Sequence, residues 1–89
     1  MLKITNIQES GVDVLLRLEG KITEQWAALL DGECRSFLRR KKTVYLDCSN
    51  VDFIDHRGVE VLKNLPSPQV TLISAPGYMT ELLQIGGQS

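Results

Sequence analysis

The sequence predicts an α/β fold, a four-stranded mixed β-sheet with about three α-helices in the order β-β-α-β-α-β-α. Three observations carry that reading. Two apolar runs near the N-terminus are joined by the turn cluster Glu9-Ser10-Gly11, which makes a hairpin. A long helical-period stripe then leads into a short apolar strand, the arrangement of a right-handed parallel crossover. Beyond it, Pro66, Pro68 and Gly86-Gly87 punctuate a second helix, a fourth strand and a third helix.

Leu2, Ile4 and Ile7 mark the first strand, whose alternation slips after Ile4. Val12, Val14, Leu16 and Leu18 alternate on one face of the second, which Gly20 is expected to end. Ile22, Trp26, Leu29, Leu30, Cys34, Phe37 and Leu38 then fall at helical spacing. Thr23 suits the N-cap, Glu24 the positive end of the helix dipole, and Arg39 to Lys42 its negative end. Gly32 inside this helix costs about 1 kcal/mol relative to Ala, and Asp31 and Arg35, four apart, can pair on its surface.

Thr43 to Asp47 is apolar at Val44, Tyr45 and Leu46, as in a central strand covered on both faces. The second helix is expected over Arg57 to Leu65, with Val59 and Leu62 inward and Val61 and Leu65 as further candidates, closed by Pro66 and Pro68. Val70, Leu72 and Ile73 give the fourth strand. Pro76 suits a first helical turn. Met79, Leu82, Leu83 and Ile85 form the third helix, which Gly86-Gly87 are expected to terminate. The helices pack mainly on one side of the sheet, or split between the two.

Composition narrows the function. The 89 residues form one domain, 1–89, with no internal repeat or linker. Hydrophobic residues are 43%, charged residues 24% and the net charge is −1, so no global field draws the protein to nucleic acid or an acidic membrane. No apolar run is long enough to span a bilayer, and no basic-then-apolar start suggests a secretory signal. Cys34 and Cys48 have neither disulfide nor metal spacing and read as reduced core thiols, so the expected location is the cytoplasm. No metal, cofactor or catalytic group is expected.

The segment Val44 to Leu62, VYLDCSNVDFIDHRGVEVL, concentrates the chemistry. It reads as strand, loop and helix, with Asp55 at the N-cap and Gly58 in the first turn. Backbone N–H groups, one carboxylate and two basic side chains therefore meet at one exposed spot. Asp55 is a cap, worth roughly 0.5–2 kcal/mol, and can also shape a recognition surface. His56 is either a nucleophile for a phosphoryl group near an anion-favouring helix start, a pH-sensitive contact, or a plain exposed residue with no base or metal partner. Arg57 opposes the dipole, which suggests a partner carboxylate or phosphate, although solvent can also satisfy it. Gly58 implies close approach of another backbone, from a partner or from a strand of this domain. Ser49 and Asn50 read as turn formers, Ser49 being the nearest serine to the site. The run Arg39-Arg40-Lys41-Lys42 lacks interleaved aromatics and reads as a solvated helix end. Trp26 is assigned to the core. Tyr78 and Met79 are assigned there too, with an apolar contact face near the site as the alternative.

These residues resemble the signature of STAS domains, the family of bacterial anti-sigma factor antagonists. Leu46 to Asp55 follows the family run L-D-x-S-x-V-x-F-I-D, Gly58-Val59 the Gly-Leu or Gly-Val that succeeds it, and Leu18-Glu19-Gly20 the L-x-G strand end. Val70 to Ser74, Pro76 and Leu82-Leu83 resemble the later strand and helix. The likeness covers nearly the whole chain and implies a regulatory protein–protein interaction module. Its partner would be a kinase-type anti-sigma factor or the ABC-type ATPase subunit of a transport system. The docking surface it implies is Asp55, His56, Arg57, Gly58 and Val59. The serine that family members phosphorylate directly after the aspartate is His56 here, so no serine switch is expected at this loop. His56 and Ser49 are the substitute phosphoacceptor candidates. Typical members add a further strand and helix, so the chain looks like a minimal form whose sheet keeps an edge that another subunit, or a second copy in a homodimer, would cover. The alternatives are a structural subunit assembling through that edge and a phosphorelay protein using His56.

Overall fold

The computed structural model describes residues 1–87, with side chains described through residue 83. Its elements are β1 (Leu2–Glu9), β2 (Asp13–Ile22), α1 (Glu24–Arg39), β3 (Thr43–Ile54), α2 (His56–Asn64), β4 (Val70–Ile73) and α3 (Gly77–Gly87). The strands lie in the order β1-β2-β3-β4. β1 is antiparallel to β2, and β2, β3 and β4 run parallel to one another. The element order and the mixed sheet are those read from the sequence.

The hairpin turn is built by Ser10, whose hydroxyl donates to Asp13 Oδ1 at 2.8 Å and accepts from the N–H groups of Val12 and Asp13. The slip in alternation after Ile4 is a β-bulge. Register passes from Asn6↔Leu16 to Gln8↔Leu15, leaving Ile7 unpaired and exposed. Val12 lies in the turn rather than on the strand's inner face and is 70% exposed.

Three boundaries differ from expectation. Gly20 does not end β2, which continues to Ile22. With φ of 104°, Gly20 kinks the strand where a β-carbon would lie 2.5 Å from Met1 O, while Lys21 N donates to that same carbonyl. Ile22 is consequently a strand residue and not part of the α1 stripe. That stripe is Ala27, Leu30, Cys34 and Phe37, with Leu29 left exposed. β3 is also longer than predicted and runs through Ser49 and Asn50. Their turn chemistry is absorbed as a bulge, since register passes from Arg17↔Asp47 to Glu19↔Asn50 while Ser49 N and Oγ both donate to Asp47 Oδ1.

The core lies on one face of the sheet. Leu2, Val14, Leu16, Leu18, Val44, Leu46, Cys48 and Val70 are buried against α1, α2 and the Met79 side of α3. Alternation places Leu15, Arg17, Tyr45, Asp47 and Ile73 on the opposite face, which no described helix covers. Tyr45 is therefore exposed, and β3 is covered on one face instead of two. Met79 is fully buried and Trp26 packs at the core's margin. Pro76 stands just before α3, its carbonyl accepting from Met79 N and Thr80 N. α3 includes Gly86 and Gly87, and the Ile85 side chain and the residues after the expected glycine stop lie outside the described residues.

The basic run is partly docked. Lys42 Nζ donates to Ser10 O and pairs with Glu9 at 3.1 Å, and Arg40 pairs with Glu9 at 3.7 Å while stacking over Phe37. The run thus clamps the end of α1 to the hairpin. Asp31 and Arg35 form the expected i,i+4 pair at 3.0 Å, and Arg35 also reaches Asn64 O at 3.5 Å on α2.

Candidate functional site at the α2 N-terminus

Parallel β2, β3 and β4 bring their C-terminal ends to one end of the domain, where α1, α2 and α3 begin. Asp55 stands at the centre of that end. Its N–H donates to Ile22 O at 3.3 Å, and its carbonyl accepts from Val59 N at 3.0 Å. It is the N-cap of α2, with extended backbone and Oδ1 accepting from Gly58 N at 2.8 Å. Oδ2 accepts from Glu24 N at 3.2 Å, the first residue of α1. The Gly58 N–H bond, more than any other contact, holds the Asp55 carboxyl below its usual pKa. The bond from Glu24, the charge of His56 and the N–H of Arg57 add to this, while partial burial opposes it.

Gly58 is buried beneath this cap. A β-carbon there would sit 2.4 Å from Ile22 O and 2.7 Å from Ile54 Cγ1. The backbone it admits is thus the end of β2 in its own domain. Val59 is half-buried against the core. His56 and Arg57 are exposed, and among the described residues neither takes part in a salt bridge. The five residues singled out in the sequence are therefore adjacent but unlike. Two form the outer surface, and Asp55, Gly58 and Val59 fix its position.

Sequence reasoning missed the neighbours that frame this turn. Phe53 is 50% exposed with Lys21 Nζ 5.9 Å from its ring centre, and Lys21 also pairs with Asp52 at 3.4 Å. The signal was present, because Phe53 and Ile54 are consecutive apolar residues of a strand and only one can face the core. Tyr78 donates from its hydroxyl to Val51 O at 2.8 Å and stays partly exposed, so it lies over the end region of β3 rather than in the core. Ser49 lies six residues back along β3, on the order of 15–20 Å from Asp55 at about 3.3 Å per residue. Its hydroxyl is engaged by Asp47.

Burial pushes the Cys34 and Cys48 thiols up to about 12, which suits inert core groups rather than nucleophiles. Among the described residues no group of three or more His, Cys, Asp or Glu is placed to hold a metal ion.

Comparison with known proteins identifies the family and the fold. The STAS domain family model matches residues 4–67, from within β1 to beyond α2 and including the Asp55 turn. The chain belongs to the STAS domain family. No curated protein sequence matches it. Among solved structures, the anti-sigma factor antagonist SpoIIAA in its unphosphorylated form shares the fold of this STAS domain. The TM-score is 0.72 at 13% identity, covering 92% of this chain and 82% of that one.

Proposed function

We propose that this STAS domain is a non-catalytic docking module of the anti-sigma factor antagonist kind, which binds a partner protein through the first turn of α2. The observation that carries the reading is the contrast within that turn. His56 and Arg57 are exposed and, among the described residues, in no salt bridge, yet they stand on a frame fixed by the Asp55 cap and the buried Gly58. A rigid base under free polar side chains suits recognition, since little conformational entropy is lost on binding. It does not suit catalysis, because among the described residues no side chain is hydrogen-bonded to His56 as a base or orienting group. The partner classes that fit are a kinase-type anti-sigma factor and an ABC-type ATPase subunit, both of which place the module in the cytoplasm. No described helix is long and apolar enough to cross a membrane.

The reading is tested by titrating candidate partners of both classes from the native organism against wild type, Arg57→Glu and His56→Ser. Gly58 is unsuited to this test, because a larger residue there collides with Ile22 and disturbs the fold itself. Arg57→Glu is expected to weaken binding by roughly tenfold or more, the effect of reversing one interfacial charge. With a kinase-type partner and ATP, wild type should take up no phosphate at the turn, whereas His56→Ser should become phosphorylated and release the partner. Undiminished binding by Arg57→Glu would place the interface elsewhere. Acid-labile phosphate on wild-type His56 would favour a phosphorelay.

A further inference from the structure

The Asp55 carboxylate serves two helices, and one of them is not its own. Oδ1 caps α2 through Gly58 N, and Oδ2 receives the N–H of Glu24 at the start of α1. Thr23 occupies the N-cap position of α1 but makes no side-chain cap hydrogen bond. Asp55 therefore does for α1 what its own cap residue does not. Glu24 also has φ of 47°. That left-handed conformation is disfavoured for a residue with a β-carbon and persists only where the surroundings hold it. The holder is itself well anchored, since Asp55 N and O are bonded to Ile22 and Val59.

We propose that Asp55 is a conformational latch, whose carboxylate holds the first turn of α1 in a strained form and so joins Glu24–Trp26 to the His56–Arg57 turn as one unit. When Oδ2 is withdrawn, Glu24 relaxes toward ordinary helical dihedrals. Trp26, two residues on and half-buried at the core's margin, moves with it. On the docking reading above, the start of α1 is where occupation of the turn is felt. The latch itself rests on geometry alone and is tested without a partner, so it can fail while the docking reading stands.

The experiment compares amide hydrogen exchange and the emission of the single tryptophan in the full chain, wild type against Asp55→Ser. A serine hydroxyl caps Gly58 N as an ordinary N-cap, but its one oxygen on a shorter arm cannot also serve Glu24. The expected result is exchange at the Glu24 amide about tenfold faster, with Gly58 protection nearly unchanged and a shifted Trp26 emission. Unchanged protection at Glu24 overturns the proposal, as does equal loss at both amides.

A second pair of variants keeps Asp55 in place. At a normal first-turn position Ala is more stabilising than Gly, whereas a held left-handed residue reverses that order. Glu24→Gly is therefore expected to unfold at a higher denaturant midpoint than Glu24→Ala. The opposite order would show that Glu24 is not held left-handed in solution and would refute the latch.

Discussion

Replacing Gly58 with alanine tests the construction of the site most directly. The added β-carbon would lie 2.4 Å from Ile22 O, 2.7 Å from Ile54 Cγ1 and 3.0 Å from Ile22 Cγ2, where ordinary contact begins near 3.4 Å. The worst overlap is about 1 Å and is with backbone, so no side-chain rotation relieves it. Ile22 O is moreover tied to Asp55 N. To make room, α2 must lift from the ends of β2 and β3. Overpacking of this kind costs about 1–3 kcal/mol or more. Helix propensity opposes it, since exchanging Gly for Ala in a helix is worth about 1 kcal/mol. Because the overlap falls on backbone, the upper end of that range applies, and both effects together leave Gly58→Ala less stable by about 2 kcal/mol, or roughly 8–16 °C in Tm for a domain of this size. Calorimetry or urea unfolding measures it. The control is Gly32→Ala in α1, where a β-carbon meets nothing within 4 Å, and stability should rise by up to about 1 kcal/mol. Two helical glycines changed in the same way should thus move stability in opposite directions. A Gly58 variant as stable as wild type, or more so, would refute the close-approach argument.

Other expectations follow from the same contacts. Asp55, Asp47 and Glu9 all have depressed pKa values in the folded protein, held down first by the Gly58 N–H, the Ser49 N–H and the Lys42 ammonium respectively. The unfolded chain therefore binds more protons as pH falls. The stability these groups confer is complete above the ordinary carboxylate values of 3.8 and 4.5 and is lost as pH drops through the folded ones. Urea midpoints should fall across that window and less steeply in Asp55→Asn, and a wild-type midpoint that stayed flat would contradict the assignments. Both cysteines should resist thiol reagents at neutral pH until the chain unfolds, and rapid labelling of native protein would show that they are not sealed in the core. Gly20→Ala forces a β-carbon against Met1 O at a φ of 104°, and chemical denaturation should show a loss of about 1–3 kcal/mol. An unchanged midpoint would mean that the β2 kink is not needed.

Much of the architecture was legible because local pattern and tertiary role coincide. The Ile7 bulge announced itself as a broken alternation, Asp55 as a cap three residues before Gly58, and Met79 as a core residue at helical spacing. The misplaced strand boundaries share one physical cause. Gly20, Ser49 and Asn50 are residues that ordinarily break strands, and here long-range pairing of β2 with β3 carries the strands through them as kinks and bulges. Ile22 was misplaced for the same reason, since its periodicity suits a helix while its burial under Gly58 belongs to the sheet. At the site, the turn itself was visible, but its second support was not. The bond from Glu24 to Asp55 joins residues far apart in sequence, and no local propensity forecasts a left-handed glutamate.

The central ladder has a consequence for when the turn comes into being. From Asp13↔Thr43 to Ile22↔Ile54, β2 and β3 pair residues that are roughly thirty positions apart. The β1–β2 hairpin can form early from local contacts, but this parallel pairing must wait until α1 and the chain around it have closed a long loop. Asp55 acquires its anchor on Ile22 only at the last rung of that ladder. A nascent or partly folded chain would display His56 and Arg57 without the frame beneath them. Any protein that docks on the turn would therefore engage only finished molecules, and assembly would serve as its own quality control.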